Sequence, residues 1–311
     1  MTFKEKIVNV YFPYDESIWY NLFPKKKPIW NQYRFVLNKE EEKCDFCLIF
    51  TKYNLKQYTV FCPPNNVIFI PCEPVSIHKY THFFLRQFGN VIGHRAQTLN
   101  SNGRNTLDPL PWFLKKSYDE LMDIEVEKTQ TLSVITSTKV MNKGHEDRLK
   151  FCYKLKEELG DQIDLYGRGI NDFEDKWDVV TPYRYSIAIE NSVYDTYITE
   201  KIFDCTLAMT YPIYYGASNV SDYLKATTRI NILDYENALR IISKLIHNPH
   251  HYSENINQIK QDRQNYLSKY SPIPNIVSIL DTMHTNSKSQ KVTIKHSYLD
   301  KLYRRIYQFK L

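Results

Sequence analysis

Tyr185-Ser186-Ile187-Ala188-Ile189-Glu190-Asn191-Ser192, continuing through Tyr197-Ile198-Thr199-Glu200-Lys201 to Pro212-Ile213-Tyr214-Tyr215-Gly216, is the stretch that decides the fold. Ile187 and Ile189 alternate with small residues before the polar Glu190-Asn191-Ser192, the pattern of a buried strand running into a loop. Thr199 is an acceptable N-cap, Ile202, Phe203, Thr206 and Leu207 follow on one helical side, and Pro212 stops that helix. Pro212 to Gly216 reads as a second short strand. Strand, loop, helix, strand is the unit of a parallel sheet covered by helices, in which ligands bind at the carboxyl ends of the strands.

The charges at the helix start carry further information. Glu200 in the first turn suits the positive pole of the helix, whereas Lys201 beside it is misplaced by about 0.3–1 kcal/mol unless an anion faces it. A bound phosphate would reverse the sign of that penalty; otherwise Lys201 swings into solvent. Arg148 repeats the signal, lying in the first turns of a helix expected over 145–159, after a strand over 132–137 and a loop over 138–144.

Glu190-Asn191-Ser192, then Thr196-Tyr197-Ile198-Thr199-Glu200-Lys201, then Pro212-Ile213-Tyr214-Tyr215-Gly216 resembles the donor-binding signature of the α-1,3/4-fucosyltransferase family of glycosyltransferases. The resemblance implies an α/β fold of the GT-B type, two Rossmann-like domains facing a central cleft. It also implies transfer from a nucleotide sugar, GDP-fucose, to a glycan or glycolipid acceptor such as a surface polysaccharide or lipopolysaccharide, with inversion at the anomeric carbon. By the same likeness Arg148 binds the donor pyrophosphate, Tyr197 and Glu200 contact the nucleotide sugar, and Asn191 and Ser192 shape the loop; Lys201, by its charge, is expected to join Arg148 in stabilising the leaving diphosphate. Glu73, in Pro71-Cys72-Glu73-Pro74, matches the family's general base. Read alone, it is a loop carboxylate that Pro74 pushes into extended geometry at the end of a strand. Three departures stand out. Thr196 occupies a position where Asp or Gly is usual, Ala217-Ser218-Asn219 replaces Ser-Pro or Pro-Ser after the glycine, and Pro74 follows Glu73 directly where the family has one or two residues between.

Across 311 residues the natural division is an acceptor-binding domain over 1–128, a nucleotide-sugar-binding domain over 129–284 and a basic tail over 285–311, with a polar connection over 125–130. The first domain offers strands over 7–12, 43–50 and 67–70 and a short one near 89–93. Between the first two, residues 14–39 read as an irregular aromatic run whose Trp19, Tyr20, Phe23, Trp30, Tyr33 and Phe35 either pack a core or stack on sugar rings. A helix is expected within 109–122, bearing Trp112 and Phe113. In the second domain come a strand and Gly-containing turn over 163–169, a short strand over 231–234, and helices over 236–247 and 252–270.

Apolar content of 42% excludes a disordered chain. From Lys288 onward seven cations face one anion, which accounts for the whole net charge of +6. Residues 298–309 carry apolar side chains on one helical face and basic ones opposite, suited to docking on the body or to an anionic membrane surface. The even charge of the rest argues against nucleic acid as a partner. Six cysteines at no framework spacing point to a reduced, cytoplasmic setting, peripheral to a membrane if the tail attaches. Cys44 and Cys47 are read on one strand, pointing to opposite faces, and His78 and His82 lack the Glu of HExxH, so no metal site is expected. No GxGxxG, P-loop or metal-binding DxD occurs, hence no obligatory cofactor is implied. A related transferase that uses another nucleotide sugar and a glycan-binding protein that has lost catalysis are the remaining rivals, and the undamaged Thr199-Glu200-Lys201 speaks against the second.

Overall fold

The computed structural model describes residues 4–39, 43–50, 57–74, 79–139, 143–283 and 287–295. The chain divides into two units, one made of the chain up to Pro111 with the chain from Ser271 onward, the other of Trp112–Tyr270.

The first unit contains, in order, β1 (Lys6–Tyr11), α1 (Glu16–Tyr20), β2 (Ile29–Trp30), β3 (Tyr33–Leu37), β4 (Phe46–Phe50), β5 (Gln57–Cys62), β6 (Val67–Ile70), α2 (His82–Leu85), β7 (Asn90–Gly93), α3 (Ala96–Leu99) and β8 (Arg104–Asn105). Among the described residues seven of these strands form one sheet in the order β2-β3-β1-β4-β6-β7-β8, parallel except at the edge strand β2. β4 and β6 are buried at every position, as strands covered on both faces require.

The second unit continues with α4 (Tyr118–Asp123), β9 (Gln130–Ile135), α5 (Lys143–Leu159), β10 (Ile163–Tyr166), α6 (Lys176–Val180), β11 (Tyr183–Ile189), α7 (Glu200–Leu207), β12 (Tyr211–Tyr215), β13 (Thr228–Arg229), α8 (Tyr235–Ile246) and α9 (His251–Asn265). Among the described residues its five strands are all parallel, ordered β10-β9-β11-β12-β13. From β9 the chain steps outward to β10 and then crosses back to β11. The winding therefore reverses between β9 and β11, and successive loops part there to leave a crevice at the strands' carboxyl ends. The chain then returns to the first unit as α10 (Pro272–Asp281) and β14 (Gln290–Lys295), which pairs antiparallel with β5.

Several expectations need correction. The division falls at Pro111/Trp112 and Tyr270/Ser271, whereas the sequence suggested 128/129 and 284/285. Residues 112–128 are bound into the second unit, because the buried Arg263 donates to the Ile124 and Met122 carbonyls at 2.8 and 3.4 Å. α10 joins the first unit, where the Asn275 side-chain amide donates to the Leu107 carbonyl at 3.1 Å and Asp281 accepts from the Tyr33 hydroxyl at 2.7 Å. The run 14–39 is ordered by α1 and β3, and Trp19, Phe23, Tyr33 and Phe35 are core residues, not sugar-facing ones. Helix α4 begins only at Tyr118, under a capping box between Ser117 and Glu120, while Trp112 packs in extended chain. α7 closes at Leu207, with Met209 left-handed at φ 56°, so Pro212 lies inside β12 and does not end the helix. Residues 231–234 form a turn in which the Asn231 side chain accepts the Leu233 N–H at 3.1 Å; the strand is at Thr228–Arg229. Cys44 precedes β4, so strand alternation does not apply to it, and Cys44, Cys47 and Cys62 share one core cluster. All six cysteines are buried thiols. His78 and the helical face over 298–309 lie outside the described residues.

Lys128 fastens the underside of the second unit. Its ammonium donates to the Thr181 and Ala208 carbonyls, both at 2.7 Å, and to Thr210 Oγ1 at 2.8 Å. Thr181 and Ala208 are the C-caps of α6 and α7, so one cation serves the negative poles of two helices. Burial pushes its pKa down to about 7, yet all three ammonium protons have acceptors. Lys128→Met, which leaves those acceptors unmatched, is expected to lower unfolding free energy by about 3 kcal/mol in urea titrations; an unchanged midpoint would exclude this role.

Candidate active site

β11 delivers Glu190 to the crevice side of the sheet, where the carboxylate is only 2% exposed. A carboxylate taken out of water must be matched by donors, and the end of the following loop supplies them. Glu190 Oε1 accepts the Thr199 N–H at 2.8 Å, the Thr199 hydroxyl lies 3.0 and 2.9 Å from its two oxygens, and Lys201 Nζ donates to Oε2 at 3.1 Å. Thr199 thereby caps α7 and ties the loop 191–198 to the strand that precedes it. Burial pushes the Glu190 carboxyl up, with Lys201 and the Thr199 donors pulling it back. For Lys201 the balance is opposite: burial disfavours its ammonium, and the carboxylates of Glu190 and Glu200 more than offset this.

The anion that compensates Lys201 is therefore present in the chain itself. Lys201 neither swings into solvent nor waits unpaired for a phosphate. Gly216 belongs to the same knot, since a Cβ there would come within 2.2 Å of the Tyr214 hydroxyl oxygen and 2.7 Å of Glu190 Cγ. Close approach, not turn geometry, demands glycine. At Thr196 the reverse holds: a β-branched residue sits at φ 63°, in the left-handed region that favours glycine.

Beside this knot lies a hollow of about 210 Å³, walled by the carboxyl ends of β9 and β11 and by Arg148, Lys176, Glu200, Lys201 and Cys205. It occupies the switch point between β9 and β11. Gly167, at φ +122°, lets the turn after β10 press against Thr136, where a Cβ would lie 1.8 Å from the Thr136 carbonyl oxygen. Arg148 comes from the second turn of α5; its Nη1 donates to Asn191 Oδ1 at 2.8 Å, and its buried Nε has no hydrogen-bond partner among the described residues. Burial, with Arg148 and Lys201 nearby, holds the His145 imidazole below its usual pKa. Burial favours the neutral form of Glu200, but Lys201 and Lys176 outweigh it and keep the carboxyl below the usual range.

Of the residues expected from sequence, Arg148, Glu200 and Lys201 line one hollow and Asn191 touches Arg148. Tyr197 is buried close enough to influence the Arg148 charge, and Ser192 is half-buried on the loop outside the wall. Glu73 belongs to the first unit, half-buried just past the carboxyl end of β6, after Cys72 at φ 57°. Two residues at the site have no role assigned from the sequence: Glu190, which there is only the first residue of the family-like run and the polar end of a strand, and Lys176, which opens a helix from the positive pole as Lys201 does.

The hollow, with cations gathered on one wall of an otherwise largely apolar crevice, suits a diphosphate or another compact anion. A family model, described as Glycosyltransferase family 10 (fucosyltransferase) C-term, matches residues 126–295. The 4-galactosyl-N-acetylglucosaminide 3-alpha-L-fucosyltransferase 9 of Cricetulus griseus is 22% identical over 129 residues, 40% of this chain and 32% of that protein. GDP-fucose protein O-fucosyltransferase 3 of Danio rerio is 28% identical over 134 residues, 39% and 28% of the respective lengths. The chain spans about a third of the length of the curated relatives it matches. A crystal structure of α1,3-fucosyltransferase with GDP superposes with TM-score 0.50 at 16% identity, covering 100% of this chain and 92% of that one. An α-glucosyltransferase in complex with UDP and a 13-mer DNA gives TM-score 0.54 at 10% identity, covering 89% and 99%. At these identities the likeness is one of fold, the GT-B fold with two Rossmann-like units.

Thr199→Val removes the hydroxyl that serves the Glu190 carboxylate, Lys201 and the helix cap together. It should cost about 2–4 kcal/mol of unfolding free energy, more than an ordinary cap loss. A loss below about 1 kcal/mol would show that Glu190 does not depend on it.

Proposed function

The chain belongs to glycosyltransferase family 10, the fucosyltransferases, and from that premise we propose that it transfers fucose from GDP-fucose to a hydroxyl of a glycan or glycolipid, such as a surface polysaccharide or lipopolysaccharide, with inversion at the anomeric carbon. The observation that carries this reading is the gathering of Arg148, Glu200 and Lys201 around one hollow at the switch point of the matched region. In this proposal Arg148 and Lys201 bind the donor diphosphate and Glu200 accepts hydrogen bonds from the sugar or nucleotide hydroxyls. Asn191, held by Arg148, keeps the loop with Ser192 and Tyr197 in register.

Glu73 is proposed as the base. The acceptor oxygen bonds to the anomeric carbon and its proton passes to Glu73. The bond from that carbon to the β-phosphate oxygen breaks, and the electron pair leaves with GDP. Positive charge from Arg148 and Lys201 stabilises the departing group, so the proposed reaction requires no divalent ion. What supports the fucose donor is the family match together with the Tyr197-Ile198-Thr199-Glu200-Lys201 run; the Thr196 and Ala217 departures are the reason to test other nucleotide sugars beside it.

The test is a panel of GDP- and UDP-sugars, followed by thermal stabilisation and by sugar release with and without glycan acceptors, in the presence of EDTA. GDP-fucose should stabilise and turn over. Lys201→Ala and Arg148→Ala should each weaken donor binding about 10- to 100-fold, the range for a lost charge-assisted contact. Glu73→Gln should bind donor within about 3-fold of wild type while transfer falls about 100-fold or more, as for a lost base. Preference for a UDP-sugar would replace the donor assignment, and full transfer by Glu73→Gln would remove Glu73 from the chemistry.

A further inference from the structure

We infer that Lys176 is a third cation of the donor site, donating to the β-phosphate oxygens of a bound nucleoside diphosphate while the buried Asp204 holds it at the wall of the hollow; this rests on the donor reading proposed above. Lys176 Nζ lies 2.6 Å from Asp204 Oδ2, and the side chains are 14% and 0% exposed. An ammonium has three N–H groups. Among the described residues the bond to Asp204 is the one hydrogen bond that Lys176 makes, which leaves two donors on a side chain that lines the hollow.

Its neighbours are committed differently. Lys201 already has Glu190 at 3.1 Å and Glu200 at 3.7 Å, and also donates to the Thr199 hydroxyl oxygen. Arg148 spends one N–H on Asn191 and keeps its Nε without a partner. The wall thus presents three cations against the single carboxylate of Glu200, among the described residues, while Glu190 and Asp204, both buried, stand behind it.

Such a surface matches an anion with several oxygens better than it matches a sugar ring. The cleaved bond leaves its electron pair on the β-phosphate, so charge grows there as the reaction proceeds. A cation held at that end gains most in the transition state, where it lowers the barrier and does more than tighten binding. Asp204 acts as a positioning residue. It reaches Lys176 from the middle of α7, the helix whose first turn carries Glu200 and Lys201, so one rigid element sets all three groups.

The test measures GDP, GMP and guanosine binding, by calorimetry, to wild type, Lys176→Met, Lys176→Arg and Asp204→Asn in the full chain. Lys176→Met should weaken GDP about 10- to 100-fold while changing GMP by no more than about 3-fold, and Lys176→Arg should stay within about 3-fold for both. Asp204→Asn should reproduce the selective loss for GDP, and it carries the test should Lys176→Met fail to fold. Equal losses for GDP and GMP, or GDP binding as tight as wild type, would overturn the inference; a lysine that only joins α6 to α7 predicts one of those two results. Wild type that binds neither GDP nor GDP-fucose would sink the donor reading itself, whereas GDP binding that Arg148→Ala weakens and Lys176→Met does not would sink this inference alone.

Discussion

A carboxylate with almost no access to water, at the end of a central strand, constrains the whole second unit. Glu190 has to be matched by donors, and among the described residues those that match it sit together where the loop ends and α7 begins. Satisfying the carboxylate fixes Thr199, and fixing Thr199 starts α7 at one residue and no other. With the helix start set, Glu200 and Lys201 have no choice of position. Gly216, pressed against Glu190 from the neighbouring strand, closes the arrangement on its other side. A local electrostatic demand therefore orders a loop, a helix and a strand pair before any ligand is considered.

That ordering matters because of where the sheet reverses. The crevice between β9 and β11 would exist in any sheet wound β10-β9-β11-β12-β13, since the connections leave in opposite directions there. What the residues add is charge. Three helices contribute cations to one wall, each from near the end of its helix where a cation is disfavoured, and each offset by a side chain of this chain: Asn191 for Arg148, Asp204 for Lys176, Glu190 for Lys201. In the donor reading proposed above, an incoming anion adds its oxygens beside these partners, taking the N–H groups that Lys176 and the Arg148 Nε leave unpartnered among the described residues.

The central unit from Tyr183 to Tyr215 was legible in the sequence because its alternation, N-cap and apolar helical face agree with one another. The misplaced charges of Arg148 and Lys201 were legible for the same local reason, and they do meet at one hollow. Their partners were not, since Glu190 lies eleven residues from Lys201 across a loop whose path only the fold determines. The pairing of β5 with β14 joins segments more than two hundred residues apart and leaves no local trace beyond alternation in β5. Segments 112–128 and 271–281 were assigned to the wrong neighbours because what binds them is Arg263 and Asn275, long-range partners that no period or motif announces.

Lys128 gives α6 and α7 a shared foundation remote from the crevice. Both helices are clamped at their C-terminal ends by one ammonium and at their N-terminal ends by the charges of the hollow. Their axes are consequently registered to each other like two keys cut from one blank. A change at position 128 would therefore loosen two helices at once, the one that carries Lys176 and the one that carries Lys201, from the ends opposite the hollow.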